Sequence, residues 1–290
     1  MGSAVTAVED GTITIPRGAH LTEPLRIVRQ ADRSSGPLAP RTVIIAEPDS
    51  DAAVIEEAIG EAGADAPVSS VVELIVRPGA RLRYYHIQHW SRGTEHVYRQ
   101  QATVERDGHL LSLLASLGSR RTQATVETRL VGAGARSDLY GVTFGDGDQR
   151  FEFHTLQDHV VERTASDLLY KTALHDRATS RYSGLIRIAK AAQKTDAYQA
   201  NRNLLLSPHA RADSVPMLEI LADDVHCSHG ATVGPIDPEQ AFYAMSRGVP
   251  APAAERMIVE GFFEQVLQRL PPDGLQEQLH AHISRKLERG

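Results

Sequence analysis

The sequence predicts a mainly β protein in which short strands stack as coils and a run of helices closes the chain. Three observations carry that reading. Turn signals recur at a near-constant interval: with Gly18, Asp51, Gly79, Gly108 and Gly134 as markers, the steps are 33, 28, 29 and 26 residues, a period found in solenoids. The runs between markers are short and β-rich, and no helix-length segment of period 3.6 separates them, which argues against alternating β-α-β units. After Ile236 the spacing becomes helical. An antiparallel sandwich with irregular hairpins also meets the first two observations, and periodicity alone leaves both architectures open.

From about Gly11 to Val233, a Gly, Pro or Asp turn is followed by a small residue and then a strand-like run. Arg17-Gly18-Ala19-His20, Pro78-Gly79-Ala80-Arg81, Gly134-Ala135-Arg136 and Pro208-His209-Ala210-Arg211 show the pattern. The strand-like runs include Thr12 to Ile15, Thr42 to Ile45, Val71 to Val76 and Thr125 to Thr128, while Glu56 to Ala62 reads as a helical turn. Each coil leaves its faces incomplete until the next one stacks on it. In such a column Asn201 and Asn203, in the polar run from Gln193, are placed to hydrogen-bond along the stack. Asp237-Pro238-Glu239-Gln240 is a helix start, with Asp as N-cap and Pro at the first helical position. That helix carries Phe242, Tyr243 and Met245 and stops at Gly248. Pro252 opens a second helix with Met257, Ile258, Phe262, Val266 and Leu267 at three- and four-residue spacing. Pro271-Pro272-Asp273-Gly274 breaks it, and a last helix aligns Leu275, Leu279, Ile283 and Leu287. The division expected is a β core over residues 1–236 and a helical domain over 237–290, acting as a cap on the last coil or as a docking surface.

Composition narrows the function. The 290 residues are 41% hydrophobic and 23% charged, ordinary for a globular protein. A net charge of -6 argues against nucleic-acid binding. The single cysteine excludes an internal disulfide framework. No apolar run reaches the roughly 20 residues of a membrane helix, and no secretory leader opens the chain. A cytoplasmic protein is expected.

No phosphate loop, His-Glu-x-x-His, Cys-x-x-Cys or Gly-x-Ser-x-Gly motif is present, so nothing points to ATP hydrolysis by this chain. The stretch from Pro216 to Ile236 holds the only cysteine, Cys227, with His226 and His229 beside it and Asp223-Asp224 just before. On a strand, Cys227 and His229 share one side. Thiolate and imidazole bind soft and borderline metals, but two such groups cannot close a four-ligand site. Further ligands would have to come from elsewhere in the chain or from a partner; His154 and His159 are candidates, though five residues apart they point to opposite faces of one strand. Asp223 and Asp224 are read as turn residues. A β-helix carbohydrate-active enzyme using them as acid and base is the alternative, against which stand the scarce aromatics, 5%.

Residues from about Asp138 to Leu267 resemble the SufB/SufD family of iron-sulfur cluster assembly subunits. The resemblance is carried by Ser137-Asp138-Leu139-Tyr140-Gly141, Ala192 to Ala197, Asn203 to Ser207, Leu218-Glu219-Ile220, Ala222-Asp223-Asp224-Val225, Cys227-Ser228-His229-Gly230-Ala231-Thr232 and Ser246-Arg247-Gly248. The run around Cys227 looks like the SufD branch. The resemblance implies a right-handed parallel β-helix with a C-terminal α-helical domain, and a non-catalytic scaffold. It also implies a SufB-like partner joined through the β-helices and a SufC-like ABC ATPase docked on the helices. Its site residue is His229, with Cys227 in the same motif; His229 would be a metal ligand shared with the partner. No cofactor is expected on the subunit alone, with an iron-sulfur cluster at the SufB interface. Self-association as a purely structural homodimer is a further expectation. Family members usually carry an N-terminal helical region, whereas strand-like sequence here begins near Thr12.

Overall fold

A computed structural model describes residues 6–9, 11–270 and 274–287. The strands are β1 (Thr6–Glu9), β2 (Thr12–Ile15), β3 (Leu25–Ala31), β4 (Arg41–Ala46), β5 (Asp51–Gly60), β6 (Val68–Val76), β7 (Arg81–His89), β8 (Glu95–Val104) and β9 (His109–Ser116). They continue as β10 (Arg121–Leu130), β11 (Arg136–Gly145), β12 (Arg150–His159), β13 (Ala165–Leu174), β14 (Thr179–Ile188), β15 (Asp196–Leu205), β16 (Arg211–Ile220) and β17 (His226–Pro235). Even-numbered strands from β2 to β16 form one parallel sheet, with β1 antiparallel at its edge. Odd-numbered strands from β3 to β17 form the other. The chain thus alternates between two sheets in a parallel β-solenoid of about eight turns, and the sandwich is excluded.

Turn chemistry sets the coil length. Gly18, Asp49, Gly79, Asp107 and Gly134 occupy the left-handed region, with φ from 54° to 77°. Glycine enters it without steric cost, and aspartate tolerates it better than most residues. The turn residues at two of the markers are therefore Asp49 and Asp107 rather than Asp51 and Gly108. The turns bond to one another up the stack: Gly18 N–H to the Pro48 carbonyl (3.0 Å), Asp49 to Pro78 (3.1 Å), Gly79 to Arg106 (2.9 Å), Asp107 to Ala133 (3.0 Å) and Gly134 to Arg163 (3.1 Å). Residues 56–60 continue β5 instead of forming the expected helical turn. Glu56 and Ala58 are buried and register with His86 and Gln88 of β7, and pairing on both sides outweighs their helical propensity.

The interior between the sheets is apolar for most of its length, including Ile15, Ile44, Leu74, Leu82, Val104, Leu110, Leu168 and Leu174. It also holds polar groups. Glu56 accepts from Tyr84 Oη (2.9 Å), Thr42 Oγ1 (3.1 Å) and Arg29 Nε (3.2 Å). Asn203 donates to Asn201 within β15 (2.7 Å) and to the Thr232 carbonyl of the next coil (3.2 Å), so part of the expected asparagine bonding along the stack is present. His86 and His96 are buried, with ring centroids 6.1 Å apart. Burial pushes both down to about 3, with Arg29 adding to the effect on His86 and the neighbouring His86 to that on His96.

That burial has a pH consequence. The native rings stay neutral while the unfolded chain binds protons below about pH 6.5, so stability is full above that pH and falls as the pH drops toward 3. His86 accounts for a loss of about 1.4 kcal/mol per pH unit well below pH 6.5. Urea unfolding at pH 7, 6, 5 and 4 is expected to show a shallower decline for His86→Leu by that amount. Equal slopes for both proteins would contradict the neutral buried ring.

Helices α1 (Pro238–Ser246), α2 (Ala251–Leu267) and α3 (Leu275–Leu287) follow. Asp237 caps α1, its Oδ1 accepting from Glu239 N–H (2.9 Å), and Gly248 takes the left-handed stop with φ 89°. Of the expected break, Pro271 to Asp273 lie outside the described residues. Val259, Phe263, Val266 and Leu267 of α2 and Leu275, Leu279 and Ile283 of α3 are buried against Ile55, Tyr85, Ile87, Leu113, Val142 and Phe144. These helices cover the outer face of the odd-numbered sheet and leave the last coil open. Lys171 of β13 donates to the Phe262 carbonyl, and Lys286 of α3 to the Phe144 carbonyl (2.6 Å), adding polar links between the layers.

Candidate functional site

The solenoid ends at β16 and β17, the free edges of the two sheets. Along β15, Ala197, Gln199, Asn201 and Asn203 are buried, and they register with Cys227, His229, Ala231 and Val233 of β17. Strand alternation therefore puts Cys227 and His229 on one side, facing the open end of the lumen. His229 is exposed and makes no hydrogen bond or ion pair among the described residues. Cys227 is half-buried against the cluster of Ile186, Ile188, Ala192, Ala197 and Ala222. Burial, reinforced by Asp196, pushes its thiol pKa up, so it rests as a thiol and becomes a thiolate only on binding a metal.

The other sequence candidates separate. His226 opens β17 on the opposite side from Cys227 and is exposed. His154 is exposed and His159 is buried. The His159 ring nitrogens lie 2.8 Å from Thr164 Oγ1 and 2.9 Å from Ser166 Oγ. Asp223 and Asp224 sit in the turn between β16 and β17, their backbone N–H groups both donating to Gln193 Oε1 (3.3 and 2.9 Å). Among the described residues no three His, Cys, Asp or Glu side chains converge as a metal site. Chemically, the last coil offers an imidazole and a thiol, two donors that need others to complete a site.

Around this pair lies an apolar surface that the motif reading passed over. Val215, Met217, Leu218, Ile220 and Leu221 are exposed on β16 and just after it, as are Tyr198 of β15 and Val233 of β17. The signal was the run Val215-Pro216-Met217-Leu218 with Ile220-Leu221, five apolar side chains around one proline. Register places Leu218 and Ile220 beside Ile186 and Ile188 of β14, which are buried; they stay exposed because no further coil covers them. Pro216 removes one N–H from β16 and blunts that edge, whereas proline occurs in β17 only at its last residue. A second apolar face is carried by Phe242 (68% exposed), Tyr243 (62%) and Met245 of α1 with Met257 of α2.

Comparison with known proteins bears on this end of the molecule. Residues 28–262 match the family described as SUF system FeS cluster assembly, SufBD core domain. The chain is 32% identical to the iron-sulfur cluster assembly protein SufD of Bacillus subtilis over 94% of its length, covering 63% of that protein. It is 36% identical to the SufBD family protein Rv1462 of Mycobacterium tuberculosis over 75% of its length, covering 57% of that protein. It is 33% identical to SufD of Escherichia coli over 71% of its length, covering 50% of that protein. The chain thus spans between 50% and 63% of the length of these three relatives.

Proposed function

This chain belongs to the SufBD core family of iron-sulfur cluster assembly proteins, and from that premise we propose that it acts as the SufD-type scaffold subunit without catalysing a reaction itself. The observation that carries the reading is the uncovered last coil, where His229 and Cys227 stand beside an exposed apolar rim. A SufB-like subunit with an open coil of its own would bury that rim and add the ligands this chain lacks. The cluster is then cargo formed at the interface, with His229 as this chain's ligand and Cys227 in support. The helices from Asp237 onward, treated as a second domain, would receive a SufC-like ATPase on the apolar face of Phe242, Tyr243 and Met245. ATP-driven movement of that subunit would open or rearrange the interface.

A Met217→Glu/Leu221→Glu variant tests the arrangement. Both residues are exposed, so the monomer is expected to fold. Charges placed at an apolar interface are expected to weaken binding to a SufB-like partner by about 100-fold, while leaving SufC-like binding in place. Light scattering with and without the partner reads the result. A wild-type protein that ignores SufB-like protein and forms a stable pair with itself would favour the homodimer; undiminished SufB-like binding by the variant would move the interface elsewhere.

A further inference from the structure

On the outer side of the even-numbered sheet, away from His229, a groove of about 400 Å³ runs across β10, β12, β14 and β16. Arg121, Arg150, Arg181 and Arg211 line it together with Glu152 and Asp213, a local excess of positive charge on a chain of net charge -6. Cross-strand ion pairs are the ordinary use of such rows, and part of the groove is spent that way: Arg121 Nη2 lies 3.1 Å from Glu152 Oε2. Arg211 is also committed, donating to the Pro208 and Ala210 carbonyls at 2.8 Å each. Arg181 registers between Glu152 and Asp213, yet among the described residues it forms an ion pair with neither. Arg150 likewise has no side-chain partner.

Register adds Thr179 to the same face: it lies between Arg150 and Arg211 on neighbouring strands and is half-buried. Two guanidiniums without partners among the described residues, with the Thr179 hydroxyl beside them, line one concavity. Its size falls in the range of small-molecule pockets, roughly 300–1,000 Å³. Guanidinium donates in a planar fork that matches phosphate oxygens, and it accepts nothing. Two such forks match a ligand with two adjacent anionic centres.

We propose that this groove binds a small molecule carrying a diphosphate group, with Arg150 and Arg181 donating to the phosphates. The Arg121–Glu152 pair keeps the nearer carboxylate neutralised, and Asp213 at the far side limits how far the anion extends toward β16.

Isothermal titration with inorganic pyrophosphate tests this on the whole chain, with citrate as a polyanion of different geometry. Wild-type protein is expected to bind pyrophosphate saturably at one site, and citrate at least about tenfold more weakly. Affinity should fall as salt rises from about 0.05 to 0.5 M. The Arg150→Gln/Arg181→Gln variant should bind about 100-fold more weakly; Arg17→Gln, an exposed arginine outside the groove, should match wild type. Both groove arginines are exposed, so the double variant should melt as wild type does. Absence of saturable binding, an unchanged double variant, or citrate binding as tightly as pyrophosphate would each overturn the proposal.

Discussion

A His229→Ala variant is expected to fold as the wild type does, pair with a SufB-like subunit and lose iron-sulfur cluster assembly in the reconstituted complex. The fold should be spared because the imidazole is exposed and holds nothing among the described residues; such surface changes usually shift stability by less than about 0.5 kcal/mol. Assembly should fall by about 100-fold or more, since removing even a supporting group around a metal commonly costs 10- to 100-fold. Cluster absorbance after reconstitution reads the effect, and light scattering confirms that the pair still forms. Normal assembly by the variant would remove His229 from the site. Loss of pairing along with assembly would give the residue an interface role instead. Cys227→Ala adds a contrast: its half-buried thiol packs on the buried cluster that includes Ile186 and Ile188, so some stability should be lost with it.

Replacing Gly132 with alanine is expected to have the largest effect on the fold. A Cβ at this position would lie 2.0 Å from Arg106 N, 2.4 Å from Arg106 Cα and 2.6 Å from Glu105 C. All three are backbone atoms of the coil below, held by the turn-to-turn bonds of the stack, so no side chain can swing away to make room. Ordinary overpacking costs about 1–3 kcal/mol; with backbone on the far side of the contact the loss should be about 3 kcal/mol or more. That corresponds to a fall in Tm of about 6 °C or more, taking roughly 2–4 °C per kcal/mol for a domain of this order. Gly36→Ala, where nothing lies within 4 Å of the added carbon, should melt within about 2 °C of wild type. Equal melting of the two variants would show that the spacing between coils relaxes freely.

Much of the architecture was legible in the chain because it is decided by short-range chemistry. Left-handed turns favour glycine and tolerate aspartate, so their recurrence near every thirty residues exposed the coil. Residues at either end of a turn are ambiguous at that level, and the φ values assign Asp49 and Asp107 where the reading had Asp51 and Gly108. The cap at Asp237, the stop at Gly248 and the stripe of Leu275, Leu279 and Ile283 are likewise local features, and each appears where its residues place it. Strand spacing put Cys227 and His229 on one side of β17, again a property of the backbone alone.

Only the tertiary structure could decide the rest. Glu56 to Gly60 has helical propensity, but two neighbouring coils offer it a ladder on each side, and a strand results. The helices were expected as a cap on the last coil or as a docking surface; α2 and α3 do not cap it but bury their stripes on the flank of the odd-numbered sheet, because Ile55, Tyr85, Leu113 and Val142 form an apolar face there that no strand covers. That choice leaves the last coil open. The consequence for Leu218, Ile220 and His229 follows from the stack: residues equivalent by register are buried one coil earlier and exposed here, because a solenoid buries each turn only by adding the next.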